Sequence, residues 1–591
     1  MGRDRVAPDR RRQVGDELTP ELKLLAPVAV LLVVVPALVR AAGALAGVEG
    51  PINPWAYLIG VVAGHLHWST AATVWCGVLL VVLVVLVVGS IVLWKIRPGQ
   101  TPAAIQRVDR KAASMATAAD VAGLLPKGAA KDAQRLRADH AGLGNPIGIL
   151  VRTGAPLRSS YEWVQVWLMG PRAGKTSCVC VRQIIETTGP VVATSNKRDI
   201  VDLTRGPRSQ MGHCWVFDPQ GLIGEPPQFT WNPLTVISDY PDRMVEKADE
   251  LAALFNSSAT DKNAQSDAYF EPEAQAYLSN LLLAAAVADV PISRVWDWLI
   301  DPSDLTPLHA LQLAGHHVPA QAVAAVSNLA DEQRDGVIGT ARKMVTWLRS
   351  DTILQWVEPR PGVPEFTCFD FLDTHQTMYL VSREGAGSAR AVTAALAVAI
   401  MQAGEWKAGR SRGGRLATPL TVVLDEAANV VRWQALPDMY SHFGSRGIVV
   451  STFLQSWAQG CAAWGEEGMR KLWSAANVRV VGAGIAEEKF LAEWNHLIGE
   501  HERVTSSRTD SGTGKVFGNT STTRQLQRES IFDIAELAGM PGGRAVMLAS
   551  GSRAALIGLT HWSTTDYADQ VSASEEHFSA LAIAGTHDRG I

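Results

Sequence analysis

A short stretch in the first third of the chain combines the residue types that hold a polyphosphate. An apolar, β-forming run at 164–169 leads into a Gly/Pro turn that closes on Gly174, Lys175 and Thr176. Such a turn points backbone N–H groups at a phosphate, and the lysine adds a mobile positive charge. The threonine hydroxyl can ligate Mg²⁺. The order of strand, loop and helix start therefore predicts a nucleotide site.

The match to the P-loop signature G-x-x-x-x-G-K-[ST] is incomplete. Met169 occupies the position of the first glycine, and Gly170 follows one position late. A Gly-rich turn that simply ends a strand is the alternative interpretation. The nucleotide interpretation assigns phosphate contact to the P-loop, defined here as Gly170, Pro171, Arg172, Ala173, Gly174, Lys175, Thr176 and Ser177.

Two adjacent carboxylates follow a second apolar strand, predicted at 420–424. Asp425 and Glu426 stand at its carboxyl end, where doubly wound sheets place their ligands. Asp425 can hold the water shell of Mg²⁺. Glu426 can polarise the water that attacks the γ-phosphate, a general-base role worth roughly 10² to 10⁴ in rate. A strand end that caps an ordinary helix is the alternative.

Two more residues join the predicted site. A core strand is predicted at 448–451, and Gln455 beyond it is well placed to sense the γ-phosphate beside the acidic pair. Arg446, on the predicted loop before that strand, is a candidate arginine finger that reaches into a neighbouring subunit. A fork-shaped cation suits the phosphate charge of the transition state. An ordinary exposed arginine is the alternative for Arg446.

Length and composition bound the class of protein. With 591 residues the chain can hold two or three domains. A net charge of -4 excludes a globally basic nucleic-acid binder, so any such contact must come from local patches. The six cysteines include no C-x-x-C pair, which argues against a zinc site or a disulfide framework.

Two apolar segments near the N-terminus predict a transmembrane hairpin with helices at about 24–46 and 73–94. Basic residues precede the first segment and follow the second, while the loop between them has no lysine or arginine at 47–72. This charge bias predicts a multi-pass protein of the cytoplasmic membrane with both termini in the cytoplasm. A cleaved signal peptide is the alternative for the first segment.

The elements between the motifs indicate an α/β fold. Apolar strands alternate with helical stretches, which is typical of a parallel sheet covered on both faces. Residues 242–364 show helical periodicity without a convincing strand, so an all-helical insert is predicted, with a separate domain as the alternative. The polar stretch 501–529 carries five lysines or arginines among glycines and hydroxyls. It is interpreted either as a mobile ribbon that touches a nucleic-acid strand or as a disordered surface loop.

These patterns divide the chain into seven regions. The predicted regions are a basic cytoplasmic tail (1–22), the transmembrane hairpin (23–95), a juxtamembrane helical linker (96–150), the first portion of the nucleotide-binding domain (151–240), an all-α insert (241–365), the second portion of the nucleotide-binding domain (366–562) and a flexible C-terminal tail (563–591).

Taken in order, the motifs resemble those of the type IV coupling proteins of bacterial conjugation and secretion, the TraG/TraD-like group. The resemblance covers roughly residues 146–562 together with the membrane hairpin. The features that carry it are, in chain order, the P-loop, Asp218-Pro219, Asn232-Pro233-Leu234, the helical block, Asp425-Glu426 and Gln455.

This resemblance implies a RecA-like P-loop NTPase core with an inserted all-α domain, assembled as a homo-hexamer at the membrane. It implies ATP and Mg²⁺ as cofactors, and ATP hydrolysis that drives relaxase-bound single-stranded DNA, or proteins, into a type IV secretion channel. By similarity, Lys175 and Thr176 bind the nucleotide, Asp425 and Glu426 form the Walker B pair, and Gln455 is the coupling glutamine.

Two other functions stay open from the sequence. One is an FtsK-like pump for double-stranded DNA, which is disfavoured because the residues after Trp562 are too few for a compact DNA-reading domain. The other is a membrane receptor that docks substrates and uses bound ATP only to hold an assembly together.

Overall fold

We describe a computed structural model of the chain over residues 20–96, 102–259, 270–383, 389–511 and 519–588. Residues 1–19 of the predicted basic tail lie outside these described ranges. The chain forms two compact units, Met1–Pro102 and Ala103–Ile591. The domain boundaries derived from the sequence stay predictions.

The described residues form helices throughout both units. In chain order these are α1 (Pro20–Leu45), α2 (Pro54–Val62), α3 (Thr70–Ile96), α4 (Ala103–Lys111), α5 (Pro126–Arg135), α6 (Val181–Ile185), α7 (Asp199–Ser209), α8 (Thr235–Ser238), α9 (Met244–Ala259), α10 (Phe270–Val287), α11 (Ser293–Ile300), α12 (Thr306–Leu313), α13 (His317–Ser327), α14 (Asp331–Met344), α15 (Asp351–Val357), α16 (Cys368–Phe371), α17 (Ala389–Arg410), α18 (Ala427–Val430), α19 (Leu436–Arg446), α20 (Trp457–Ala475), α21 (Glu488–Ile498), α22 (Ile534–Ala538) and α23 (Ala568–Asp588).

All described strands belong to the second unit. They are β1 (Asn145–Leu150), β2 (Pro156–Ser159), β3 (Gln165–Leu168), β4 (Val191–Ser195), β5 (Cys214–Phe217), β6 (Thr377–Val381), β7 (Leu420–Leu424), β8 (Ile448–Leu454), β9 (Val478–Gly482), β10 (Glu500–Ser511), β11 (Asn519–Ser530), β12 (Arg544–Ala549) and β13 (Ala555–Gly558).

In the first unit, α1 packs against both α2 and α3. The Arg40 guanidinium lies 4.9 Å from the centre of the buried Tyr57 ring, and its Nε donates to the Pro51 carbonyl at 2.9 Å. The arginine inside the apolar segment is therefore held by a ring and a backbone carbonyl of its own unit.

The predicted membrane hairpin is wrong on this structure. Across the described residues, no helix combines the length and the apolar character needed to cross a bilayer. A span requires both properties in the same stretch. The helices predicted at about 24–46 and 73–94 are thus not assigned as spans. The predicted multi-pass location in the cytoplasmic membrane, which depended on them, is contradicted as well.

The second unit is built on an eleven-stranded sheet in the order β2-β1-β13-β12-β9-β3-β8-β7-β4-β6-β5. From β9 to β5 every neighbouring pair is parallel, and β12, β13, β1 and β2 extend the sheet with antiparallel pairs. Parallel strands end at one edge, so the residues that follow β3, β7 and β8 are brought together there.

Strand β3 shows why this sheet is covered on both faces. Its residues alternate between two apolar layers, with Val166 and Leu168 in one and Trp167 in the other. Every residue of β3 is buried, as expected for a central parallel strand. The layer that contains Val166 and Leu168 continues into α9–α15, the helices that fill residues 244–357.

The last helix corrects the prediction of a flexible tail at 563–591. Helix α23 packs along α7, with Val571 fully buried against Val181 and Leu203. The Ser574 hydroxyl accepts from the Gly206 N–H at 2.9 Å and donates to the Asp202 carbonyl at 2.6 Å. The contacts come at helical spacing in a polar sequence, which is why composition alone predicts a loose tail. Residues 589–591 lie outside the described ranges.

The polar stretch 501–529 is likewise not a disordered loop over its described length. Strands β10 and β11 pair antiparallel in continuous register from Glu500 opposite Ser530 to Ser511 opposite Asn519. Residues 512–518 lie outside the described ranges. Hydroxyl-bearing residues such as threonine have good β-propensity, so a polar stretch can form a ribbon without an apolar face.

Candidate nucleotide site

The P-loop leaves β3 in a space that excludes side chains. A Cβ atom on Gly170 would lie 2.5 Å from the Gly484 carbonyl oxygen, and the Gly170 N–H donates to the Ala483 carbonyl at 2.9 Å. Gly174 has a positive φ of 89°, a conformation that favours glycine. Both glycines are therefore required by backbone geometry.

Met169 explains the departure from the P-loop signature. Its N–H donates to the Leu454 carbonyl at 3.0 Å, which extends the β3–β8 pairing by one residue. Its side chain is fully buried in the apolar layer beside Gly482. This position thus belongs to the strand rather than to the turn, and the close approach falls to Gly170 instead.

The structure brings the P-loop and the acidic pair together. Lys175 Nζ lies 2.7 Å from Glu426 Oε1. The Thr176 hydroxyl donates to Asp425 Oδ2 at 3.1 Å. The side chains of Lys175 and Glu426 are each 8% exposed, so this ion pair is shielded from water. Two motifs separated by 251 positions therefore form one cluster at the carboxyl edge of the sheet.

Asp425 has the properties of a cation ligand. Burial raises the pKa of this carboxyl to about 6, with Lys175 acting in the opposite direction. Its Oδ1 is buried and has no hydrogen-bond partner among the described residues. An unpaired buried carboxylate oxygen is costly unless a cation or water completes it. Mg²⁺ prefers oxygen ligands and keeps several waters, so Asp425 and the Thr176 hydroxyl fit such an ion.

Glu426 is held by four side chains in a strained backbone, one of which is Asn429, whose Nδ2 donates to Oε2 at 3.5 Å. Its φ of 54° lies in the left-handed region. Oε1 accepts from Gln455 Nε2 at 2.7 Å as well as from Lys175, and Oε2 accepts from Gln459 Nε2 at 3.4 Å. Burial alone would raise the pKa of Glu426, but Lys175 and the two glutamines outweigh it and lower that pKa. Glu426 is therefore a carboxylate without a proton in this conformation.

Gln459 is the residue that sequence reasoning missed. It lies in the first turn of α20, and its Oε1 accepts from the Gln455 N–H at 2.7 Å. The same side chain thus contacts both Gln455 and Glu426. The available signal was its spacing of four residues from Gln455, since the strand end and the first helical turn lie close together.

Arg446 is not a member of this cluster in its own chain. It is the last residue of α19 rather than a loop residue, because the helix runs on until Gly447 takes a positive φ of 77°. Its Nη1 donates to the Gly414 carbonyl at 3.0 Å. Its role as an arginine finger stays a prediction, as do the phosphate contacts of Pro171, Arg172, Ala173 and Ser177.

Comparisons with known proteins agree with this fold. Residues 419–542 match the family described as the TraM recognition site of TraD and TraG. The chain resembles the unbound monoclinic form of the bacterial conjugative coupling protein TrwBdeltaN70 with a TM-score of 0.52 and 15% identity, over 72% of this chain and 91% of that chain.

Two further structures of TrwB match over a similar extent. The complex with the non-hydrolysable ATP analogue ADPNP gives a TM-score of 0.50 at 15% identity, over 69% of this chain and 88% of that chain. The complex with ADP and Mg²⁺ gives 0.51 at 15% identity, over 72% and 92%. A comparison with curated proteins finds no match.

The fold and the site define a class of protein. The second unit has a parallel sheet with a P-loop and an acidic pair at its carboxyl edge. Together with the likeness to TrwB, this arrangement identifies a RecA-like α/β NTPase fold with an all-α domain. The resemblance to the type IV coupling proteins, which the order of motifs indicates, is confirmed by the family match and the structural matches together.

The packing of Gly170 predicts the effect of a single methyl group. Gly170→Ala places that methyl against the Gly484 carbonyl, so the P-loop must shift. We expect turnover to fall by roughly 10²-fold, the scale associated with a misplacement of about 1 Å. Nucleotide binding and turnover of the purified chain are the measurements.

Gly542→Ala is the matched control, because a Cβ there meets open space and the residue does not have a positive φ. It should retain wild-type turnover. Full activity in Gly170→Ala would show that the close contact with Gly484 does not set the P-loop geometry.

The buried ion pair predicts non-additive stability changes. Lys175→Met leaves the Glu426 carboxylate buried without its cation and should lower the free energy of unfolding by about 3–5 kcal/mol without nucleotide. Adding Glu426→Gln should recover much of that loss, because the buried charge is removed as well. Denaturant unfolding of the four proteins in this cycle measures the coupling.

Arg294→Met serves as the comparison, since Arg294 and Asp297 form an exposed pair. Its unfolding should change little. Additive effects at Lys175 and Glu426 would contradict the buried pair.

Proposed function

We propose that this chain is an ATP-hydrolysing motor that moves relaxase-bound single-stranded DNA, or protein substrates, into a type IV secretion channel. The observation that carries the proposal is the cluster of Lys175, Thr176, Asp425, Glu426 and Gln455 at one edge of the sheet. The family match and the likeness to a conjugative coupling protein supply the biological setting.

Each residue of the cluster has a separate task in this proposal. When bound, Mg²⁺ supplies charge neutralisation at the β and γ phosphates. Asp425 and the Thr176 hydroxyl orient its ligand shell. Lys175 exchanges its Glu426 partner for phosphate, and the freed Glu426 carboxylate then orients and deprotonates the attacking water.

The ion pair gives the nucleotide-free site a resting state. As long as Lys175 holds Glu426 Oε1, the general base is occupied and the buried lysine charge is balanced. A polyphosphate competes for the same ammonium group. Nucleotide binding therefore releases the base, while Gln455 and Gln459 keep it from moving far.

Partner recognition and assembly extend the proposal. Residues 419–542 match a TraM recognition site, so we assign this segment the recruitment of a TraM-like accessory protein. We further propose a homo-hexamer, the assembly implied by the resemblance to the coupling proteins.

The general-base role predicts a separation of binding from turnover. Glu426→Gln should lower ATP turnover by roughly 10²- to 10⁴-fold while ATP binding is retained. Turnover by the wild-type chain should rise with single-stranded DNA more than with an equal mass of duplex DNA. Both are measured by phosphate release, with nucleotide binding followed separately.

Glu467→Gln is the control, because Glu467 is an exposed glutamate of α20. It should behave as wild type. Wild-type turnover in Glu426→Gln would remove the base assignment, and a lack of response to any DNA would favour a non-translocating ATP-binding receptor.

A further inference from the structure

A cavity of about 570 Å³ lies away from the nucleotide cluster, between helix α9 and the helices α17 and α19. Its size suits one small ligand group. The residues that line it include Lys247, Glu250, Glu405, Trp406, Arg410 and Arg446.

The positive charges of the cavity are not all neutralised within the chain. Lys247 is buried and lies 2.6 Å from Glu250 Oε2, so its charge is balanced. Arg410 and Arg446 line the same cavity, and within the described residues neither has a carboxylate oxygen within 4.0 Å. Arg410 Nη1 donates to the Trp406 carbonyl at 3.5 Å and Arg446 Nη1 to the Gly414 carbonyl at 3.0 Å, so the other N–H groups of both arginines can serve an anionic ligand.

Arg410 also presents a planar surface. Its guanidinium carbon lies 3.6 Å from the centre of the Trp406 ring, close enough for stacking. A guanidinium that stacks on an indole with one face can stack on a second planar group with the other. Arginine planes stack on unpaired nucleobases in this way, and arginine forks also pair with phosphates.

We propose that this cavity binds one nucleotide unit of single-stranded DNA, with the base stacked on Arg410 and a phosphate paired with Arg446. The inference rests on the proposed DNA motor and assigns it a binding site for single-stranded DNA outside the nucleotide cluster. An acidic protein segment would use the guanidinium charges but would leave the stacked plane of Arg410 and Trp406 without a role.

The position of the cavity connects it to the nucleotide cluster. Arg446 is followed directly by Gly447 and then by β8, and Gln455 comes directly after the other end of β8. Tyr440 of α19 donates to Thr452 Oγ1 of β8 at 2.9 Å. Single-stranded DNA bound at Arg446 would thus contact the helix that is joined to β8, the strand that leads to Gln455.

The test compares three variants of the full chain in fluorescence anisotropy with a labelled oligothymidylate, without ATP. Arg410→Gln should weaken binding by roughly tenfold, the scale of losing one stacked base and a nearby charge. Arg410→Lys should weaken it nearly as much, because the charge remains but the stacking plane is lost. Arg412→Gln is the matched control, an exposed arginine two positions away and outside the cavity lining, and should bind as wild type.

The contrast between these variants decides the inference. Equal losses in Arg410→Gln and Arg412→Gln, or wild-type binding in both, would overturn it. Full binding in Arg410→Lys would reduce the site to a point charge and also overturn the base-stacking assignment. Thermal unfolding of each variant separates lost binding from lost folding.

Two further arms identify the source of the ligand. Thymidine monophosphate that binds as tightly as the oligonucleotide would make this a free-nucleotide site and overturn strand binding. A glutamate-rich peptide that competes as well as the oligonucleotide would overturn it in favour of an acidic protein segment. If wild-type turnover responds to single-stranded DNA while Arg410→Gln binds normally, the cavity assignment fails and the proposed motor stands.

Discussion

The buried contact between Lys175 and Glu426 is the constraint around which the second unit is organised. Two opposite charges can be buried together only if they pair with each other and hydrogen bonds satisfy their remaining donors and acceptors. Gln455 and Gln459 supply those bonds to the carboxylate. Three strands must therefore end side by side, and the order β3-β8-β7 within the sheet achieves this. The sequence distance between the motifs is irrelevant once parallel pairing fixes their common edge.

Packing at the start of the P-loop serves the same contact. Met169 extends the strand and fills the apolar layer, whereas Gly170 passes so close to Gly484 that no side chain fits. This packing fixes the backbone from which the Lys175 side chain extends to Glu426. At the end of β7, the left-handed backbone of Glu426 directs its carboxylate to Lys175, whereas an extended backbone would direct it away. Strain of this kind persists only where the surroundings hold it in place.

Local patterns predict the features of this structure that are set locally. Apolar runs with β-forming residues indicate β3, β7 and β8, and the residues directly after them predict Lys175, Asp425, Glu426 and Gln455 as neighbours. Gln459 could not be found in this way, because a glutamine in a helix is ordinarily a solvent residue and only the turn between β8 and α20 directs it to Glu426. Helix α23 depends on docking of a few positions such as Val571 onto α7, which composition does not reveal. Apolar length was a poor guide at the N-terminus, where the predicted spans are not found among the described helices.

Strand β8 shows how one element can serve two sites. Its carboxyl end leads to Gln455, which donates to Glu426, and its amino end follows Arg446, which lines the cavity. A fully buried strand moves as a unit, because neighbours on both sides fix its register through continuous hydrogen bonds. Helix α19, which ends at Arg446, is joined to β8 by the hydrogen bond from Tyr440 to Thr452. The cavity and the nucleotide cluster are therefore connected through one buried, hydrogen-bonded strand, and this strand is the direct structural path by which the two proposed sites could be coupled.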